Sequence, residues 1–226
     1  MQQIPLPVNI SDNMIFESFI AGTNDQIFEL LQTNEQKFLW IAGDKGAGKT
    51  HLLQAKINQS NHDQFKFMYL PMRELSKFTP EILDDLDQMD LICIDDIDLV
   101  LGSKIWEEKL LDLYERIHNT KTVFIVSSKD TPQGGKFLIK DLLSRYSTAL
   151  VLRLNILKEM DIVRAIQVHG KIRGFHLSDD VANFLLKRVR RDVCSLIEVI
   201  EVLDYESLAK KRKITIPFIK SILNLE

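Results

Sequence analysis

The sequence predicts an α/β fold: a five-stranded parallel sheet with helices on both faces, followed by a small all-helical subdomain. Three observations predict it. Five short, nearly continuous apolar runs recur between residues 38 and 154, the pattern of strands buried on both faces. Helical stretches alternate with them, as in a doubly wound sheet with right-handed crossovers. Past residue 154 the strand-like runs stop and the apolar spacing becomes helical throughout.

The strands expected in order are residues 38–43 (FLWIAG), 65–70 (FKFMYL), Leu91–Asp95 (LICID), 122–127 (TVFIVS) and 149–154 (ALVLRL). Helices are expected around residues 50–59, 80–86, 104–118 and 138–146. In the helical part, residues 158–173 form a helix that Gly174 ends as a C′ residue. Ser178 is placed to cap the next helix, whose first turn gains from the charges of Asp179 and Asp180. Helices over residues 193–211 and 216–223 complete the bundle. The first ten residues, MQQIPLPVNI, carry two prolines and suit neither a helix nor a central strand. The chain thus divides into an extended segment (1–10), an α/β subdomain (11–155) and a helical subdomain (156–226).

Composition narrows the function classes. With 45% hydrophobic residues among 226, the chain can bury a sizeable core, which excludes global disorder. The net charge of −3 demands no nucleic-acid partner. Residues 1–154 hold 16 basic and 22 acidic side chains against 13 and 10 in residues 155–226, an asymmetry that fits two subdomains. The two cysteines, Cys93 and Cys194, form no CxxC or Cys/His cluster, and Cys93 in LICI reads as a small buried hydrophobe. Neither a signal peptide nor a membrane-length apolar run is present, so a cytoplasmic location is expected.

The chemistry concentrates in residues 43–50, GDKGAGKT, which match GxxxxGK[ST] after a strand and at the opening of a helix. In such a loop the backbone N–H groups turn toward phosphate oxygens, and the helix dipole favours the negative charge. The expected contacts of an adenine nucleotide, ADP or ATP, are Gly43, Lys45, Gly46, Ala47, Gly48, Lys49, Thr50 and His51. Lys49 would neutralise β/γ-phosphate charge and the Thr50 hydroxyl would ligate Mg²⁺. His51, next on the helix, suits packing as well. The second element is LICIDDID: a strand ending in Asp95 and Asp96 brings carboxylates to the edge of the sheet where α/β ligands bind. Asp95 would hold the Mg²⁺ through water, and Asp96 would orient an attacking water. A cap or turn after the strand would use the same residue types, and Asp98 fits that plainer role. Ser127 and Ser128 end the fourth strand; Ser128 is the expected γ-phosphate sensor. Arg145, in KDLLSRYS, could stabilise phosphoryl-transfer charge in a neighbouring subunit or pair with a surface acid.

These residues resemble the DnaA-like AAA+ P-loop NTPase family, and within it the short Hda branch, the regulatory inactivators of DnaA. The resemblance spans nearly the whole chain. It rests on FESFIAGTN (16–24), GAGKTHLL, CIDDID, LLSRY (142–146), RGFHLSDDVANFLLKR and KITIPFIKSIL. It implies that the helical subdomain is an AAA+ lid, that Phe19 and Ile20 help enclose the adenine, and that Arg145 is the arginine finger. It gives a meaning to residues 3–8, QIPLPV, similar to the Q-x-x-L-P-L pattern by which Hda binds the β sliding clamp. Gln3, Leu6, Pro7 and Val8 are the expected clamp contacts: Leu6 and Val8 would enter an apolar cleft while the prolines keep the peptide extended.

One departure bears on activity. Where the family has a sensor-2 arginine, this chain reads VCSL, with Cys194 in its place. A thiol brings no positive charge to a phosphate, which points away from efficient hydrolysis by this chain; Arg190 and Arg191 in the preceding turn are the nearest substitutes. The resemblance therefore implies a regulator that binds the β clamp and a nucleotide and promotes hydrolysis of ATP on the DnaA initiator, meeting DNA only through the clamp. A self-contained AAA+ ATPase or loader, a clamp adaptor and self-association stay open.

Overall fold

The computed structural model describes residues 10–33, 35–60, 64–189 and 192–224. It divides into two compact units: one takes in Asn24–Ile156 with the chain up to Phe16, the other Glu17–Thr23 and the chain from Leu157 on.

The first unit is built on a five-stranded sheet of β1 (Phe38–Ala42), β2 (Phe67–Pro71), β3 (Leu91–Asp95), β4 (Val123–Ser128) and β5 (Leu150–Arg153). Every pairing is parallel, in the order β2-β3-β4-β1-β5. The chain leaves β1 toward one edge and β4 toward the other, so the strand order reverses at β1. A crevice beyond the carboxyl ends at such a point is where open α/β sheets bind ligands. The helices of this unit are α1 (Asp25–Gln32), α2 (Lys49–Ser60), α3 (Met72–Leu75), α4 (Lys104–Ile117) and α5 (Lys140–Tyr146).

Two departures from the expected elements are local. The helix expected over residues 80–86 is a single 3₁₀ turn, Pro80–Leu83. It ends because Asp84 is extended and Asp85 takes a left-handed φ of 59°. The amphipathic α1 and the one-turn α3 were not anticipated; α3 begins directly after Pro71, leaving no loop for a sequence pattern to mark.

One face of the sheet packs Trp40, Ile92, Ile94 and Phe124 with Trp106, Leu110 and Leu113 of α4 and Leu142 and Tyr146 of α5. Tyr146 is fully buried, its ring edge-on to those of Phe38, Trp40 and Phe124. The Trp40 indole donates to the Asp130 carbonyl at 2.8 Å, so its one polar atom is satisfied. A second device joins α4 to the loop before α5. Glu107, fully buried, accepts the backbone N–H groups of Gly102 (2.8 Å), Leu138 (2.9 Å) and Ile139 (2.7 Å).

The second unit is a bundle of α6 (Glu159–Ile172), α7 (Asp179–Arg188), α8 (Val193–Lys210) and α9 (Ile216–Leu223). Gly174 ends α6 as expected, with φ +89°. The Phe175 N–H returns to the Gly170 carbonyl and the Gly174 N–H to that of Lys171, the paired bonds of a Schellman motif. Ser178 occupies the cap position of α7 but its side chain makes no cap bond; that geometry is found instead at Asp192 before α8 and Thr215 before α9. The core of this unit gathers Ile166, Leu185, Leu196, Ile200, Leu203 and Phe218. No helix among the described residues is long and apolar enough to cross a membrane.

Candidate functional site

The loop between β1 and α2 carries the GDKGAGKT residues at the carboxyl edge of the sheet. Its shape depends on two glycines: Gly46 and Gly48 have φ of +85° and +99°, where a side chain would be strained. A Cβ built on Gly46 would meet nothing within 4 Å, so the loop keeps open space beside its backbone. Lys49, only 8% exposed, donates its ammonium to the Gly43 carbonyl at 2.7 Å and the Asp44 carbonyl at 3.2 Å. The loop thus surrounds a buried cation with its own carbonyls. The Gly43 N–H is shared between the carbonyls of Ser128 and Lys129, tying the loop to β4.

β3 delivers the two carboxylates. Asp95, 4% exposed, accepts from the Thr50 hydroxyl at 2.6 Å, from the Tyr69 hydroxyl at 2.9 Å and from the Ser127 hydroxyl. Three neighbouring elements therefore converge on one carboxylate. Burial, with Asp95 beside it, pushes the Tyr69 hydroxyl well above the usual phenol range, so it stays a proton donor. Asp96 adopts a left-handed φ of 54°. Its backbone N–H donates to Ser127 Oγ at 2.9 Å, and its carboxylate meets the Arg73 guanidinium at 2.6 Å. Burial and the charge on Asp95 still raise its pKa above the ordinary aspartate value, outweighing Arg73. That imbalance is reasonable, because the Arg73 side chain is 60% exposed and water screens it. A cavity of about 200 Å³ lies here, lined by Thr50, Tyr69, Arg73, Asp95 and Asp96 among others.

The residues fit a Mg²⁺-nucleotide in their donor chemistry. Thr50 Oγ1 and Asp95 Oδ2 are adjacent hard oxygens, and Mg²⁺ characteristically takes one or two such protein ligands and completes its shell with phosphate and water. Among the described residues no group of three or more His, Cys, Asp or Glu forms a metal cage of its own. Lys49 and the loop amides supply the complement to phosphate charge.

Lys49, Thr50, Asp95 and Asp96 thus sit together at this sheet edge, with Lys45, Gly46, Ala47 and Gly48 in the adjoining loop. Ser127, rather than Ser128, contacts Asp95; Ser128 is buried and offers its carbonyl. His51 Nε2 lies 3.0 Å from the Ile15 carbonyl. Arg145 lies on α5, its Nε 3.0 Å from Glu115 and 3.6 Å from Asp141, with 45% of the side chain exposed. Phe19 and Ile20 belong to the helical unit, as does Cys194, exposed in the first turn of α8. The expected clamp contacts Gln3, Leu6, Pro7 and Val8 lie outside the described residues, as do Arg190 and Arg191. Tyr69 and Arg73 are the residues the sequence reading missed. Their one signal is position, in the middle of and just past the end of a strand neighbouring β3.

Residues 10–153 match the bacterial DnaA ATPase domain, and residues 159–223 match the lid domain of Hda. The chain belongs to the DnaA-like AAA+ family. An uncharacterized protein of Haemophilus influenzae is 37% identical over 229 residues, covering 99% of both chains. Domain III of the replication initiator DnaA from Thermotoga maritima superposes with a TM-score of 0.79 at 21% identity, covering 96% of this chain and 98% of that one. DnaA from Aquifex aeolicus, solved with AMPPCP, gives a TM-score of 0.70 at 22% identity, covering 90% and 70% respectively. The parallel sheet followed by a helical lid is therefore the AAA+ architecture of DnaA domain III, and this chain is DnaA-related with an Hda-type lid.

Proposed function

We propose that this protein is a nucleotide-dependent regulator of replication initiation that acts on DnaA, as Hda does. It binds ADP or ATP with Mg²⁺ at residues 43–50: the loop amides and Lys49 hold the phosphates, while Thr50 and Asp95 hold the metal. The bound Mg²⁺ would supply positive charge at the β/γ-phosphates. Tyr69 and Ser127 fix the Asp95 carboxylate, and Asp96 is the base-side carboxylate, held by Arg73. The nucleotide orders a surface that faces DnaA. Residues 3–8 tether the protein to the DNA-loaded β clamp and so raise its effective concentration near the initiator.

The observation that carries this reading is Arg145. Its neighbour Tyr146 is buried in the core, which fixes α5, while Arg145 itself is half exposed and, among the described residues, ion-paired with the exposed acids Glu115 and Asp141. Such pairs are weak, about 0–1 kcal/mol, so an incoming phosphate can displace them. A guanidinium presented this way suits charge stabilisation in trans, a contribution worth about 10³–10⁵ in rate in other P-loop systems.

The test is hydrolysis of DnaA-bound ATP in the presence of this protein, the β clamp and DNA. Acceleration is expected, lost on Arg145→Ala and on Leu6→Ala. No acceleration, or acceleration that survives Arg145→Ala, overturns the mechanism; survival of Leu6→Ala removes only the tether.

A further inference from the structure

The helix that opens at the phosphate loop also grips the chain entering the sheet unit. On α2, His51, Gln54 and Asn58 fall at i, i+3 and i+7, on one helix face. His51 Nε2 faces the Ile15 carbonyl, and Asn58 Nδ2 donates to the carbonyls of Ser11 (2.9 Å) and Met14 (2.8 Å). The Ser11 N–H donates to Gln54 Oε1 at 2.9 Å. Residues 11–15 are thus docked on the helix whose first turn carries Lys49 and Thr50, and all of these residues belong to the sheet unit.

From Gln54 the contacts continue inward. Gln54 is buried, and its Nε2 donates to the Tyr69 hydroxyl at 3.4 Å. Tyr69, also buried, donates in turn to Asp95 Oδ2, the oxygen that accepts from Thr50. A run of hydrogen bonds therefore leads from a backbone amide at the start of the unit to the carboxylate of the proposed metal site. Its direction is set by donor chemistry. The Ser11 N–H can only donate, so it takes the amide oxygen of Gln54 and leaves the amide nitrogen for Tyr69. The Tyr69 hydroxyl has one proton; accepting from Gln54, it directs that proton to Asp95. Thr50 is wanted by the metal as well, so Tyr69 and Ser127 are the donors left to aim Asp95.

We propose that Gln54 and Tyr69 are positioning residues that couple the docking of residues 11–15 on α2 to the binding of nucleotide with Mg²⁺ at Thr50 and Asp95. The coupling presupposes the nucleotide site proposed above, but neither DnaA nor the clamp. It is reciprocal: a bound nucleotide that needs Asp95 aimed favours docked residues 11–15, and whatever draws those residues off α2 weakens the nucleotide. Ser11 stands three positions after Val8. A partner engaging residues 3–8 would therefore act on the nucleotide site through this contact.

Two measurements on the full chain test this: hydrogen exchange of a peptide covering residues 10–16, and calorimetric ADP affinity in Mg²⁺ and in EDTA. Saturating ADP with Mg²⁺ should slow exchange in that peptide about three- to tenfold, the size of one net hydrogen bond. Gln54→Met and Tyr69→Phe nearly keep the buried volume, and circular dichroism should show both folded. Each should remove the slowing and cut the Mg²⁺-dependent gain in ADP affinity by a similar factor, with affinity in EDTA unchanged. Asn58→Ala leaves the run from Ser11 to Asp95 whole; it should speed exchange of the peptide yet keep its response to nucleotide. A wild-type peptide whose exchange ignores bound ADP and Mg²⁺ overturns the coupling and leaves the nucleotide site standing. A response that survives Tyr69→Phe, or variants that lose affinity equally in Mg²⁺ and EDTA, overturns it as well. Failure of the wild-type chain to bind ADP at all overturns both the coupling and the nucleotide site.

Discussion

The two units solve burial differently. The sheet unit hides Lys49, Lys56, Asp95, Asp96 and Glu107 in its interior, whereas the four lid helices bury apolar side chains and leave their ion pairs on the surface. Each buried charge in the sheet unit has named partners. Lys56, with its pKa lowered by burial, donates to the Thr33 carbonyl at 2.9 Å, and Glu107 accepts three amides. Buried polar groups are costly unless satisfied, so they define one geometry closely. An apolar bundle holds together through volume and tolerates adjustment. The difference teaches where position matters: the polar interior lies where phosphate and metal would be held to fractions of an ångström.

The comparison is broken most severely at Glu107. Glu107→Ala removes the charged acceptor shared by three backbone N–H groups, a loss of about 4 kcal/mol at one to two per hydrogen bond. Chemical denaturation should show it as a lower midpoint for the sheet unit. An unchanged midpoint would mean that water replaces the carboxylate. In the lid the equivalent break is a cavity: Leu203→Ala should cost about 3 kcal/mol. Hydrogen exchange should report it as faster opening of α6, α7 and α8, with protection in β1 and β3 nearly unchanged. Equal loss of protection in β1 and β3 would deny that the two units are energetically separate.

The smallest expected effect has the most informative sign. Burial and Asp95 raise the pKa of Asp96, so its ionised form is the disfavoured one in the folded state. That cost is fully present above the raised pKa and is relieved as pH falls toward the ordinary aspartate value. Asp96→Asn should therefore raise the melting temperature slightly at neutral pH, with the advantage disappearing on acidification through that window. A lower melting temperature at neutral pH would mean that the Arg73 pair outweighs burial.

How much of this was legible in the sequence follows from the distance over which each feature is determined. The strands, the phosphate loop and the Gly174 stop are written in adjacent residues, and the sheet was read correctly from them. The shell that Tyr69 and Ser127 add around Asp95 was not, because they meet it only through the register of β2, β3 and β4. Glu107 and Glu108 make the same point within two residues. Both stand in the acidic pair of WEEKL, yet one is fully buried and the other exposed. A helix turns about 100° per residue, and only the packed partner says which of the two faces inward.

The placement of the tryptophans makes the contrast between units observable. Both of the chain's tryptophans, Trp40 and Trp106, lie in the sheet unit's core, and the lid helices carry none. Intrinsic indole emission is therefore a spectroscopic label confined to one unit by nature. Heating that unfolds the lid first should pass unseen in tryptophan fluorescence while far-ultraviolet ellipticity falls. The gap between the two curves would measure how independently the lid melts.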